Sequence, residues 1–403
     1  MKENKIYKFG VLFSLYIAQS IPMSFFSTVV PVIMRQEHYS LESIGLLQLV
    51  KIPWIAKFLW APTVDRFSQS ASDYRKWIFI SELFYAIIIF SIGFLNLQFD
   101  FTLIIALVVI AFLASATQDI ATDAYAILLL KDDERGFGNS MQSAGSFVGT
   151  LVGSGILLIV YHYYGWKYLL FGLSIFVILS LIPLLLFKKK GEIPKRKLKP
   201  ISLSDILSFF RQKGVIPHVL LIFFFYSGII GILTMLKPYL VDIGFDAKKI
   251  GFIVGIWGTS MGALSALFAG WLLKRVERTK LMLIILSMVL FISLFFICIT
   301  YQPLHSTFIY FGIMILWMTY GLASVTVYTC SMDKVRKGFE GTDFTVQIVI
   351  THLSSLIIAT QSGIIADAFG YRGLFVLESA LAIVTILLLL FFRNKLEYND
   401  THK

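Results

Sequence analysis

Twelve apolar runs, each long enough to cross a lipid bilayer, dominate this sequence of 403 residues. A helix needs about 20 residues to cross roughly 30 Å of hydrocarbon. Only 15% of the residues are charged and the mean hydropathy is +0.80, whereas soluble proteins carry about 25% charged residues. We therefore predict an all-α polytopic membrane protein. The predicted spans cover residues 9–34, 41–63, 77–95, 101–129, 137–161, 167–187, 216–240, 248–273, 279–300, 305–330, 342–366 and 372–392.

Basic residues are concentrated in alternate loops between these spans. Of the 35 Lys and Arg residues, 27 lie on the side that carries both termini and 5 on the other side. The positive-inside rule places both termini in the cytoplasm. Because the net charge of +11 is spread over short loops, membrane lipid is the expected partner of these residues and nucleic acid is not.

The two halves of the chain repeat each other. An offset of 205 residues pairs Gly136 with Gly341, Gln142 with Gln347 and Gly165 with Gly370. Such a repeat is typical of secondary transporters built from two six-helix bundles. We expect one bundle over residues 1–187, a basic cytoplasmic loop with an amphipathic helix over 188–215, and a second bundle over 216–403.

Two of the spans carry small residues at four-residue spacing, which lets helices approach closely. They are Gly145, Gly149 and Gly153 in span five, and Gly258, Gly262, Ala266 and Gly270 in span eight. These two helices are predicted to meet each other between the halves. The alternative is close packing within each half.

Ionisable residues inside spans two and four mark the candidate transport path. Inserting one charged side chain at the centre of a membrane helix costs roughly 2.5–3.5 kcal/mol of free energy. Such a residue therefore usually faces a protein interior or a water-filled cavity. Lys51 and Lys57 lie in span two, while Asp119 and Asp123 share one face of span four beside Gln118. Lys57 and Asp119 fall at similar depth, and we predict an ion pair that alternates with proton binding. The alternative is a purely structural pair.

Further polar residues inside the spans are weaker candidates for substrate contact. A lone Gln in a helix bundle more often joins helices than binds a ligand. A mid-span His could titrate near neutral pH, but it too is more often a hydrogen-bonded core residue than a ligand contact. These candidates are Gln19, Gln142, Tyr226, Gln347 and His352.

No soluble catalytic or nucleotide-binding motif occurs in the sequence. The two cysteines, Cys298 and Cys330, have no metal-binding or disulfide pattern. No enzymatic activity, cofactor or metal is therefore expected, and gradient-driven transport is the simplest interpretation.

Short motifs then carry a family resemblance. Asp65-Arg66, followed by Arg75-Lys76, resembles the loop 2–3 signature of the major facilitator superfamily, although Ala61 stands where that signature usually has Gly. The resemblance implies that Asp65 and Arg66 hold the cytoplasmic side closed. The candidate residues for this conformational gate are Asp65, Arg66, Arg75, Lys76, Glu134 and Arg135.

Three segments are similar to one branch of that superfamily, which holds AmpG-like muropeptide permeases, acetyl-CoA transporters and RhtX/FptX-type siderophore importers. They are residues 57–66, 116–126 and 134–136. The compact length favours the siderophore importers within the branch. The resemblance implies a monomeric, proton-coupled importer of a bulky polar metabolite in the bacterial inner membrane.

Other functions stay open at this point. The substrate is expected to be a siderophore, with a peptidoglycan fragment as the alternative. A receptor that has kept the fold without moving solute is a second class of function. A membrane-embedded acyltransferase is a third, but the histidines have no evident catalytic partners.

Overall fold

A computed structural model describes residues 5–36, 51–68, 70–186, 203–301, 306–396 and 398. The regular elements in this part of the chain are all helices. The first ten residues of predicted span two and most of the basic loop lie outside the described residues.

The helices follow the predicted spans closely. In the first part of the chain they are α1 (Lys5–Ser24), α2 (Val30–Gln36), α3 (Ile52–Ala56), α4 (Ala61–Arg66), α5 (Ala71–Ile92), α6 (Phe101–Leu129), α7 (Arg135–Leu151), α8 (Leu157–Leu179), α9 (Ile182–Leu186) and α10 (Leu203–Phe209). In the second part they are α11 (Val215–Phe225), α12 (Ser227–Asp242), α13 (Ala247–Ile250), α14 (Thr259–Leu272), α15 (Arg278–Ile299), α16 (Ser306–Met332) and α17 (Glu340–Leu396).

Wider π-helical turns interrupt three of the spans without ending them. Phe25–Val29 joins α1 to α2, Val152–Ile156 joins α7 to α8, and Gly251–Gly258 joins α13 to α14. Each π turn leaves the helix axis continuous but shifts the faces on either side of it.

Eight continuous helical stretches in the described residues are long and apolar enough to cross a membrane. Two of them, Arg135–Leu186 and Glu340–Leu396, are each long enough for two spans. Each contains a glycine with positive φ that breaks the helix: Gly165 at φ 72° and Gly370 at φ 68°. Residues with side chains rarely adopt this conformation. Adding the 22-residue helix α5, the described residues account for eleven of the twelve predicted spans.

The internal repeat is visible in the backbone. Gly165 and Gly370, which the sequence pairs, share nearly the same unusual φ and ψ angles. Helices α7 and α17 begin 205 residues apart, and the paired Gln142 and Gln347 are both fully buried.

The chain divides into two compact units. Unit 1 comprises residues 1–131, 145–205 and 335–345, and unit 2 comprises residues 132–144, 206–334 and 346–403. Each unit thus includes the start of one helix, α7 or α17, that continues in the other unit. The two segments that start these helices, 132–144 and 335–345, are separated by nearly the offset of the repeat.

Unit 1 has an apolar core formed by buried residues of 21–34, 54, 85–116 and 169–177. Aromatic side chains interlock there, with the Phe25 and Phe26 ring centroids 5.3 Å apart and those of Phe26 and Phe112 6.3 Å apart. A second cluster joins α1, α4, α5 and α6 around Tyr74 and Tyr125. The polar residues of the candidate path lie on the helices that these clusters hold together.

The glycines of span five pack against α1, within unit 1. A Cβ on Gly145 would come within 2.9 Å of the Phe13 carbonyl oxygen, and one on Gly149 would collide with Ser20 at 2.6 Å. This contact agrees with the alternative prediction, in which the glycines pack within one half. Small residues bring α1 and α7 close together, as expected for helices in lipid.

The glycines of span eight pack mainly on α16, within unit 2. Gly258 lies against the Trp317 ring, and the backbone of Gly262 lies against Gly321. Gly270 instead lies against Phe137 and Ser140 in the first turns of span five. At this end of α14, spans five and eight therefore meet as predicted.

A matched pair of substitutions in the π turn Val152–Ile156 tests the packing of span five on α1. We expect Gly153→Ala to destabilise the protein by about 1–3 kcal/mol, because its Cβ would overlap the Ile21 carbonyl and approach Ser24 Cβ at 2.8 Å. Gly155→Ala is the control, since a Cβ there has no atom within 4 Å. Thermal unfolding in detergent measures both. Equal melting temperatures for the two variants would contradict this account.

Candidate functional site

The candidate path begins where span two is interrupted. Pro62 has no N–H to donate to the preceding turn, so the helix cannot run straight through this position. Pro53 and Pro62 both lie in the first turn of a short helix, α3 or α4, where a missing N–H costs little. Between these helices Lys57–Leu59 forms a single 3₁₀ turn. This turn carries Lys57 into the interior of unit 1.

Lys57 and Asp119 form the predicted ion pair. The Lys57 ammonium donates to Asp119 Oδ2, and both side chains are buried, at 1% and 5% exposure. Gln19 Nε2 donates to the other carboxylate oxygen at 3.0 Å. The Trp54 ring lies 4.9 Å from the Lys57 nitrogen, which is within cation–π range. Helices α1, α3 and α6 therefore meet at one buried charge pair.

Asp123 lies one helical turn away from Asp119 but has a different partner. Tyr16 on α1 donates its hydroxyl to Asp123 Oδ1. Asp123 and the neighbouring Gln118 are both buried. Lys51, which caps the start of α3, is only partly buried. The structure thus joins Lys57, Asp119 and Gln19 directly, while Lys51 lies outside this group.

The remaining predicted substrate contacts lie in unit 2. Gln347 Oε1 accepts a hydrogen bond from His218 Nε2 at 2.8 Å, and Gln347 Nε2 donates to the Ser331 carbonyl at 3.2 Å. The rings of Tyr226 and Tyr320 meet edge to face at 6.0 Å. Gln142 is fully buried, whereas His352 is partly exposed. Gln347 therefore joins helices, as expected for a buried Gln.

Asp65 binds the start of α17 within unit 1. Its carboxylate accepts the backbone N–H groups of Gly341 at 2.9 Å and Thr342 at 2.7 Å, and the Thr342 hydroxyl at 2.7 Å. Tyr74 donates a further hydrogen bond at 2.6 Å. These N–H groups have no partner within the helix, and the helix dipole favours a carboxylate there. Burial raises the pKa of Asp65 to about 6, and the four hydrogen bonds act against this rise.

The other predicted gate residues have separate contacts. Arg66 and Lys76 are exposed, and Lys76 pairs with Asp73 at 3.1 Å. Arg75 donates to the Leu184 carbonyl at 2.7 Å. Arg135 pairs with the fully buried Asp333 at 2.9 Å in unit 2, and Glu134 is buried just before it.

Several buried or partly buried charged residues were not predicted from the sequence. Arg278 binds the second oxygen of Asp333 at 2.6 Å, which makes a triad with Arg135. Arg336 donates two hydrogen bonds to the Asp343 carboxylate, from Nε at 2.8 Å and from Nη2 at 2.6 Å. Glu82 and Glu378 are buried inside predicted spans three and twelve. Their charge within an apolar run was the signal that could have found them.

The buried ion pair makes a test of stability possible. Asp119→Asn leaves the Lys57 ammonium buried without its counter-charge, and we expect a loss of about 3–5 kcal/mol in the free energy of unfolding. Adding Lys57→Met removes the stranded charge, so the double variant is expected to recover much of that loss. Thermal unfolding of both variants measures this difference. A double variant no more stable than Asp119→Asn would show that the two charges do not depend on each other.

Known proteins resemble this chain over nearly its whole length. The Anhydromuropeptide permease of Escherichia coli (strain K12) is 25% identical over 96% of this chain and 80% of the relative. The Putative transporter AmpG 1 of Rickettsia bellii is 24% identical over 90% of this chain and 93% of its own length. Relatives of the AmpG kind can thus be as short as this chain, so its compact length does not favour a siderophore importer.

A solved structure shares the fold. The proton:xylose symporter XylE, bound to 6-bromo-6-deoxy-D-glucose, superposes with a TM-score of 0.73 over 98% of this chain and 96% of that one, at 11% sequence identity. The sequence profile described as the Major Facilitator Superfamily matches residues 12–359. With most of its length matched, the chain belongs to the major facilitator superfamily.

Proposed function

We propose that this protein is a proton-coupled permease that imports a cell-wall fragment of the anhydromuropeptide class across the bacterial cytoplasmic membrane. The observation that carries the proposal is the buried Lys57–Asp119 pair with Gln19 on the same carboxylate. The relatives' names support the substrate class, and similarity over nearly the whole chain supports a shared activity. This substrate replaces the siderophore that the sequence analysis favoured.

The ion pair supplies a mechanism for proton coupling. While Asp119 is ionised, it neutralises Lys57 and the pair is stable in its buried site. When Asp119 takes a proton, Lys57 is left as an unpaired cation in a low-dielectric environment, which is strongly unfavourable. An anionic group of the substrate can then take the place of the carboxylate. Proton binding and substrate binding thus favour each other.

The substrate class fits this exchange. Peptide-bearing cell-wall fragments carry free carboxylates, and a lysine ammonium binds a carboxylate as a compact, flexible point charge. Tyr16 and Asp123 extend the same polar surface by one helical turn along α6. Lys51, which is partly exposed, provides a second cation one and a half turns from Lys57.

Asp65 would act as the conformational gate in this cycle. Its four hydrogen bonds tie the end of predicted span two to the start of predicted span eleven. With both termini in the cytoplasm, as the charge distribution predicts, these contacts lie on the cytoplasmic side. Release of substrate into the cytoplasm would require Asp65 to leave Gly341 and Thr342. The protein is expected to complete the cycle as a monomer in the lipid bilayer.

Uptake in whole cells tests the proposed function. Cells that lack their own permease and express this chain should accumulate a labelled anhydromuropeptide, and a protonophore should abolish that accumulation. The double variant Lys57→Met with Asp119→Asn, which should remain folded, is expected to reduce accumulation at least about tenfold because both coupling charges are gone.

The control for this experiment is Asp246→Asn. Asp246 pairs with Lys249 on the surface, at 3.8 Å and with 58% of its side chain exposed, so its loss should leave uptake unchanged. Accumulation of the fragment that is insensitive to the protonophore would refute proton coupling. Absence of any uptake by the folded wild-type protein would refute the substrate class.

A further inference from the structure

Glu82 is a buried carboxyl group that the proposed transport mechanism does not use. It lies in the middle of α5, about 17 Å along the helix from Ala71. Its side chain is 1% exposed. A carboxylate at this depth needs either a counter-charge or a proton.

Polar side chains from three segments of unit 1 surround Glu82. The Ser180 hydroxyl, at the end of α8, donates to Glu82 Oε1 at 3.3 Å. Gln118 on α6 lies beside the carboxyl group. One turn along α5, Tyr85 lies next to Ser115 of α6. We call these five side chains the Glu82 cluster: Glu82, Tyr85, Ser115, Gln118 and Ser180.

Most of the oxygen atoms of the Glu82 cluster lack a well-formed hydrogen bond. Within the described residues, Glu82 Oε2, Tyr85 OH, Ser115 Oγ and Gln118 Oε1 are all buried without a hydrogen bond of good geometry, and so is the amide nitrogen of Gln118. Buried polar atoms are satisfied in the great majority of native structures, so four such oxygens in one cluster require an explanation. Their number and proximity indicate a ligand that several oxygens can share.

No cation of the described residues neutralises Glu82. The polar side chains beside its carboxyl group, Ser180 and Gln118, are both neutral. The nearest charged pair along α6 is Asp119 with Lys57, and that lysine is already neutralised. A ligand of the Glu82 cluster should therefore carry a single positive charge.

We propose that the Glu82 cluster binds one sodium ion. Carboxylate, hydroxyl and amide oxygens are the hard donors that alkali and alkaline-earth cations prefer. A monovalent ion balances the one carboxylate, whereas a divalent ion would leave an uncompensated buried charge. One sodium ion also contacts several oxygens at once, while a proton on Glu82 would satisfy a single acceptor. Because the proposal concerns binding alone, it does not depend on the transported substrate.

Glu378 of unit 2 provides a matched comparison. It is also 1% exposed, and its Oε2 likewise has no hydrogen-bond partner in the described residues. Its carboxyl group, however, lies against Gly231, a residue with no side-chain oxygen. Glu378 therefore has the charge of Glu82 without the surrounding donors, and we expect no sodium binding there.

Sodium dependence of stability tests the proposal. The purified full chain in detergent is titrated with NaCl against choline chloride at constant ionic strength. We expect the melting temperature to rise by about 3 °C or more at saturating sodium, because a ligand that binds only the folded state stabilises it. Binding of ²²Na⁺ should saturate at one ion per chain.

Variants assign the response to the cluster. Glu82→Gln should abolish the sodium response and the ²²Na⁺ binding, whereas Glu378→Gln should leave both unchanged. Ser115→Ala and Tyr85→Phe each remove one neutral oxygen and keep the carboxylate. These two are expected to raise the half-saturating sodium concentration by about fivefold or more, and they provide the test if Glu82→Gln does not fold.

Three results would overturn the proposal. One is a wild-type protein whose melting temperature does not respond to sodium. Another is a response to pH alone that Glu82→Gln removes, which would show that the cluster takes only a proton. The third is a sodium response that persists in Ser115→Ala and Tyr85→Phe with unchanged half-saturation. Failure of muropeptide uptake would leave all of these measurements interpretable.

Discussion

The structure depends on one constraint of the lipid bilayer, which offers no water to a charged or hydrogen-bonding group. An ionisable side chain inside the helices must therefore find a partner in the protein, take up or release a proton, or bind an ion. Lys57 satisfies this constraint through Asp119, and Asp119 in turn engages Gln19. Three helices of unit 1 are thereby held at one point. Because the Lys57–Asp119 ion pair holds these helices together, breaking it would allow them to move. The stability of the pair is therefore linked to the proposed proton coupling.

Charges near the helix ends follow a different rule. Asp65 uses the unpaired N–H groups at the start of α17, and Arg336 grips Asp343 in the first turn of the same helix. In unit 2, Asp333 is held between Arg135 and Arg278. The segments that begin α7 and α17 thus each carry a dense polar network, in keeping with the internal repeat. Such networks are rigid when every member is paired, and a member left unpaired in a buried site is costly.

Sequence reasoning succeeded where a property depends on distance along the chain. The depth of Lys57 and Asp119 within their spans was sufficient to predict their ion pair, and the repeat located Gly165 and Gly370 at equivalent breaks. It failed where a property depends on rotation about a helix axis. Gly145, Gly149 and Gly153 pack on α1, and spacing alone cannot tell which neighbouring helix a row of glycines meets. Glu82 and Glu378 have no oppositely charged residue within one helical turn along the chain, so spacing did not mark them as a pair.

The sequence by itself determined the fold class, the approximate span boundaries and the candidate ion pair, because hydropathy and helix rise act along one dimension. Its motifs also placed the chain in the right superfamily, although they did not identify the better-supported substrate. Only the tertiary structure decided which polar groups share a site. Asp123 is hydrogen-bonded to Tyr16 and Gln347 to His218, while Gln118 lies beside Glu82. These choices arise from the angles at which neighbouring helices pack, which no single segment contains.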